Sequence, residues 1–215
     1  MGTKTVLAVA VMLFGLGSAG AAQAWTISGT SSQETWLMGS DGAGSLIMCD
    51  TTSNNFITWP GSGGVAPAEP LDQNGSVNML GSADTFRIVT NDGVYDCGWM
   101  GRVNYSTFQM TIRGGDGDDG LIGGIGTDNI FGDSTTDIEA CAEDDAGGDD
   151  YLGSGGGADF IYGCGGDDIF DTFFAPGSGT QVYGGLGADC IETLSSFVTV
   201  WCTADGNDTD GSVDE

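Results

Sequence analysis

Between residues 114 and 192 the chain keeps returning to one nine-residue phrase. Residues 114–122 read GGDGDDGLI, residues 123–131 read GGIGTDNIF and residues 184–192 read GGLGADCIE. All three fit G-G-x-G-x-D-x-U-x, where U is a large apolar residue. Residues 145–153 (DAGGDDYLG), 154–162 (SGGGADFIY) and 163–171 (GCGGDDIFD) keep the central Asp and the apolar residue. Residues 132–140 (GDSTTDIEA) keep only the leading Gly and Asp137, CAED at 141–144 breaks the count, and 172–183 match poorly. A fixed beat means one small unit stacked several times, each burying its apolar face against its neighbours.

The pattern resembles the RTX, or haemolysin-type, calcium-binding repeat over residues 114–192. A lone GGxGxD would carry little weight; several on one nine-residue beat are specific. The resemblance implies an all-β fold, a right-handed parallel β-roll (a β-solenoid), with Ca2+ as the cofactor in several copies. It also implies that the central aspartates share each ion with carbonyls of the Gly-rich turns, those of Gly114, Asp116, Gly123 and Ile125 among them. A bacterial source is implied in the same way.

The spacing has its own physical reading. The eighth positions, Leu121, Ile130, Leu152, Ile161, Phe170 and Ile191, should point inward from very short strands. The six residues before each make a tight turn, where Gly supplies backbone angles that other residues avoid. Two nonapeptides then complete one coil. The sixth positions are Asp119, Asp128, Asp137, Asp150, Asp159, Asp168 and Asp189. Ca2+ takes oxygen ligands at about 2.3–2.6 Å, and stacked strands lie about 4.7–4.9 Å apart. An ion therefore fits between two stacked turns. Residues eighteen apart should share a side, pairing Asp119 with Asp137 and Asp150 with Asp168. Mg2+ suits the site less, since it demands a stricter octahedron and holds its waters. A disordered acidic linker has no reason to keep an apolar residue at every eighth place.

Charge makes the same segment conditional. The formal charge of the chain is −27, and no Lys or Arg follows Arg113, whereas 23 of the 31 acidic residues do. At ~6 Å each like-charge pair costs about 0.7 kcal/mol even in bulk water. A compact state needs something that neutralises this, so folding is expected to depend on the ion. Nucleic acid and anionic membrane are poor partners for this chain, because phosphate recognition needs basic residues, and no nucleic-acid partner is expected. The chain has no His, which excludes a Ser-His-Asp triad, a Cys-His pair and an HExxH site.

Lys4, the apolar run 6–16 and an Ala-x-Ala ending at Ala24 describe a secretory signal peptide over residues 1–24. Without Lys4 the charge moves from −27 to −28. The run is too short and Gly-broken for a membrane span, so a secreted or cell-surface protein beginning at Trp25 is expected, with no transmembrane segment. Six cysteines, Cys49, Cys97, Cys141, Cys164, Cys190 and Cys202, behind an export signal point to disulfides. Local pairs are expected: Cys49–Cys97, Cys141–Cys164 and Cys190–Cys202. Many proteins with this repeat lack cysteine and use a C-terminal export signal, so the chain departs from the family in both respects.

Residues 25–113 form a different region, expected to be a β-rich section that caps the roll. Strands are predicted at 25–27, 46–48, 56–59, 86–90 and 108–112, where β-branched and aromatic residues cluster between turn formers. Residues 61–70 (GSGGVAPAEP) read as a loop, and GSADTFR at 81–87 echoes a decayed repeat with Asp84 and Phe86 in the sixth and eighth places. Trp36, Trp59, Trp99 and Tyr105 could form a sugar-binding surface, but core packing suits most of them better. The calcium-binding roll spans 114–202, and 203–215 is a solvated acidic tail. The expected function is a non-enzymatic, structural or adhesive calcium-binding protein outside the cell, with a surface glycan or another envelope component as partner class. The alternative is a carboxylate-only polysaccharide hydrolase or glycan-binding module in 25–113, using acids among Glu34, Asp41, Asp50, Glu69, Asp72, Asp84, Asp92 and Asp96.

Overall fold

A computed structural model describes residues 25–41, 46–57, 75–80, 83–89, 91–103, 109–133, 147–171, 180–193 and 199–202. The signal-peptide region, the loop at 61–70, Trp59, Glu69, Asp72, Tyr105, Asp137, Cys141 and the tail lie outside the described residues. The described residues are all β, with no helix among them, so no helix is long and apolar enough to cross a membrane.

Two sheets carry most of the strands. The first has six, in the order β1 (Trp25–Ser28), β5 (Gly75–Asn78), β9 (Met110–Gly115), β11 (Asn129–Asp133), β13 (Phe160–Gly165) and β15 (Gln181–Leu186). Every neighbouring pair in it is parallel. The second runs β17 (Thr199–Cys202), β16 (Cys190–Thr193), β14 (Ile169–Asp171), β12 (Tyr151–Gly153), β10 (Gly120–Ile122), β6 (Thr85–Ile88), β2 (Thr35–Ser40), β3 (Leu46–Asp50) and β4 (Asn55–Ile57). It is parallel from β16 to β2 and antiparallel at both ends. From β9 to β16 successive strands alternate between the sheets. Parallel neighbours need a crossover, and here the strand of the opposite sheet serves as one.

Strand register explains the nine-residue beat. In the first sheet Ile27, Val77, Ile112, Ile130, Ile161 and Val182 stand side by side in one column. In the second, Trp36, Phe86, Leu121, Leu152, Phe170 and Ile191 do the same. The two columns belong to one core. Alternation does the rest, because the residues flanking each core position point to the other face of a pleated strand. All six eighth-position residues therefore lie in or against the core, as their spacing indicates.

The N-terminal half joins these sheets directly. β1, β5 and β9 extend the first, and β2 and β6 extend the second. The expected strands near 25, 46, 56, 86 and 110 are present. β2 and β5 arise where no strand was expected, although they place Trp36 and Val77 in the core. Trp36 is fully buried, as core packing requires, whereas Trp99 is half exposed on the hairpin of β7 (Gly93–Tyr95) and β8 (Gly98–Met100). The Cys49–Cys97 disulfide ties that hairpin to β3, with Cα atoms 5.9 Å apart. Cys164 and Cys190 are also disulfide-bonded, and Cys190 stands opposite Cys202 in the β16–β17 register.

Candidate metal centre

The described sixth-position aspartates, Asp119, Asp128, Asp150, Asp159, Asp168 and Asp189, line up in two ladders across neighbouring turns. Each offers Oδ1 to the backbone N–H of the residue one step earlier. Glu34 N donates to Asp84 at 2.7 Å, Asp84 N to Asp119 at 2.6 Å and Asp119 N to Asp150 at 2.8 Å. Asp150 N then donates to Asp168 at 2.8 Å and Asp168 N to Asp189 at 3.0 Å. A second, shorter ladder runs from Met110 N to Asp128 at 2.8 Å and from Asp128 N to Asp159 at 2.8 Å. Thr180 ends it, its hydroxyl accepting from Asp159 N at 3.3 Å. Asp suits this role because a short side chain just after a turn reaches neighbouring backbone N–H groups.

The structure thus brings Asp119, Asp150, Asp168 and Asp189 into one column and Asp128 and Asp159 into another. The neighbour of Asp119 is Asp150, 31 residues on, where eighteen was expected. Asp84 and Glu34 join the first column from the N-terminal half. The signal for Asp84 was its place in the GSADTFR echo; no repeat signal marks Glu34. Of the other N-terminal acids, Asp50 accepts from Thr52 N and from the Ser53 hydroxyl, and Asp92 accepts from Arg102 N.

The second carboxylate oxygens carry the chemistry. Oδ2 of Asp84, Asp119, Asp150, Asp159 and Asp168 is buried with no hydrogen-bond partner. Such an atom costs about 1–3 kcal/mol, more when charged. The repeats that hold Asp119 and Asp168 begin with Gly because this oxygen lies against its Cα. A Cβ on Gly114 would stand 2.1 Å from Asp119 Oδ2 and 2.1 Å from the Gly132 carbonyl oxygen. On Gly163 it would stand 1.9 Å from Asp168 Oδ2 and 2.4 Å from the Gly184 carbonyl. In both cases the carboxylate oxygen and the carbonyl lie closer together than twice a Ca2+–oxygen distance of about 2.3–2.6 Å. The Gly123 carbonyl points at Gly155, and the Ile125 and Gly126 carbonyls at Gly157 in the next turn. Gly114 is buried and Asp116 is exposed.

Some members are satisfied from within the chain. Glu34 takes the Thr30 N–H and the Thr30 hydroxyl, both at 2.8 Å, and Asp128 Oδ2 takes Gly124 N–H at 2.7 Å. Four of the five unpartnered oxygens named above, those of Asp84, Asp119, Asp150 and Asp168, therefore fall on the first ladder. No three acidic or thiol side chains converge on one point among the described residues. A cation here would take one or two carboxylates and complete its shell with turn carbonyls, which is chemistry for a hard ion.

Burial raises these carboxyls far above the ordinary range. It lifts Asp84 and Asp128 to about 6, Asp119 and Asp159 to about 7, Asp150 to about 8 and Asp168 to about 9. Neighbouring carboxylates push Asp119, Asp150 and Asp168 further in the same direction. With no cation bound, the folded chain holds protons that the unfolded chain releases near pH 4. The stability of the cation-free protein is then fullest below about pH 4. It is expected to fall as pH rises through the 6–9 range of these groups. Thermal unfolding in chelator between pH 4 and pH 9 measures this; a midpoint rising with pH would contradict it.

Comparison with protein families, curated proteins and solved structures finds no match.

Proposed function

We propose that the chain is a calcium-binding protein of the RTX repeat class, a right-handed parallel β-roll that holds several Ca2+ ions between stacked turns. The observation that carries this reading is the row of buried, unpartnered Asp Oδ2 atoms on the first ladder. Each of these oxygens is excluded from water, and for Asp119 and Asp168 a backbone carbonyl crowds the same glycine. Buried like charges at this density demand either protons or a cation, and a divalent ion among oxygens supplies the compensation near neutral pH. Asp84, Asp119, Asp150, Asp159 and Asp168 would hold the ions, with the turn carbonyls of the repeats beside them. Asp128 and Asp189 would support the stack by accepting backbone N–H groups.

The role is structural or adhesive and non-enzymatic, in a secreted or cell-surface protein, with a glycan or another envelope component as partner. Calcium here acts on the fold: it turns an acidic, self-repelling segment into ordered sheet. Far-UV circular dichroism of the chelated protein titrated with Ca2+ tests the reading. The β signal should rise with Ca2+ and return to its starting value on chelation. A spectrum unchanged up to millimolar Ca2+ would exclude it.

A further inference from the structure

One turn of the first ladder is assembled from two separated pieces of chain. Asp119, Asp168 and Asp189 each rest on the Gly five residues earlier, Gly114, Gly163 and Gly184. Asp150 rests instead on Gly132, where a Cβ would stand 1.8 Å from its Oδ2 and 2.5 Å from the Gly163 carbonyl. The fourth turn position confirms the alignment, since Gly148 lies over the Gly117 carbonyl and Gly166 over the Gly148 carbonyl. Gly132 and Asp133 thus fill the first two positions, and residues 147–150 fill the last four.

The second position of this turn is unusual. Asp133 stands opposite Gly115 in the strand register, and Cys164 stands opposite Gly185 at the same position of the following turns. Among the described residues only the split turn places an acid in this row. Asp133 is buried, and its Oδ2 accepts Gly165 N–H at 3.3 Å. A Cβ on Gly147 would stand 2.3 Å from that oxygen and 2.2 Å from the Gly165 carbonyl. Next to Asp133 in sequence, Gly132 carries the unpartnered Oδ2 of Asp150, a residue only 2% exposed. The charge of Asp133 is felt by Asp119, Asp150 and Asp168.

We infer that the split turn is the tightest calcium site of the chain, that Asp133 is its additional carboxylate ligand beside Asp150, and that its ion joins the two pieces of the turn. The inference rests on the calcium reading above. Carboxylate count is what tunes oxygen sites for Ca2+, and a second carboxylate makes this site more acidic than its neighbours. Residues 134–146 lie between the two pieces in sequence, so bringing the pieces together costs loop-closure entropy, which a shared ion offsets. The split turn then fills first as Ca2+ rises.

The test is native mass spectrometry of the full chain across a Ca2+ series, for wild type, Asp133→Gly and Asp133→Asn. Gly is the residue its register neighbour Gly115 already has. The midpoint for the first ion should rise about tenfold or more in both variants, with later ions unmoved. Both variants should regain the wild-type far-UV spectrum at saturating Ca2+. Wild type that retains calcium while both variants keep its first midpoint would overturn the role of Asp133 alone. Failure of both variants to regain the spectrum would also overturn it, marking Asp133 as a residue of the fold. A wild type that retains no calcium would overturn the parent reading itself.

Discussion

Urea unfolding in about 1 mM free Ca2+ is expected at a far higher midpoint than in chelator, and the gap should widen with each further tenfold rise in Ca2+. Each ion that binds only the folded chain adds about 1.4 kcal/mol per decade of free Ca2+ above its dissociation constant. With several ions, as proposed, the combined shift would rival the whole stability of a typical domain, about 5–15 kcal/mol. Sodium chloride should not reproduce it. Salt screens exposed charges over about 10 Å at 0.1 M, but the oxygens concerned are buried. Mg2+ should do less than Ca2+, because it surrenders its waters reluctantly. Equal midpoints with and without Ca2+ would remove the link between ion and fold.

Gly163→Ala should be nearly as damaging, for a reason that lies in the backbone. The new Cβ would meet both the Asp168 carboxylate and the Gly184 carbonyl at less than contact distance. Neither can yield freely: Asp168 Oδ1 is bonded to Asp150 N–H, and β13 and β15 are held in register at Tyr162 and Cys164. Overpacking of this kind costs about 1–3 kcal/mol or more, and it also forces apart two oxygens proposed to share an ion. The expected result is a loss of about 3 kcal/mol in urea unfolding together with weaker Ca2+ binding. Gly120→Ala is the control, since the nearest atom to its Cβ, the Thr85 hydroxyl oxygen, lies at 3.5 Å, an ordinary contact. Equal losses in the two variants would show that the turn glycines hold no special place.

The core of the repeat region was legible because its signal is local. An apolar residue at every eighth place can do little but face inward, and Leu121, Ile130, Leu152, Ile161 and Phe170 are all fully buried. The N-terminal strands were less legible. β5 reads GSVN, a turn-like sequence with a single apolar residue, and only pairing with β1 and β9 makes it a strand. Glu34 was invisible as a ladder member because no glycine-rich turn precedes it in the nine-residue form. The neighbour of Asp119 was misread for a related reason. Gly132-Asp133 looks like the start of one nonapeptide and Asp145 like the start of another, yet Gly132 and Gly147 belong to the same turn. Stacking, not sequence distance, decides which glycine each carboxylate rests on. Cys164 shows the same limit: it has φ 84° where Gly185, its register neighbour, has φ 106°, so the backbone imposes a left-handed angle that its residue type does not advertise.

The most direct measurement is the calcium count of the intact protein by native mass spectrometry at millimolar free Ca2+, repeated for Asp168→Asn. Several ions should be retained, with Asp84, Asp119, Asp150, Asp159 and Asp168 as the oxygens that hold them, and the variant should carry fewer. Recovery of the metal-free mass alone would contradict the account.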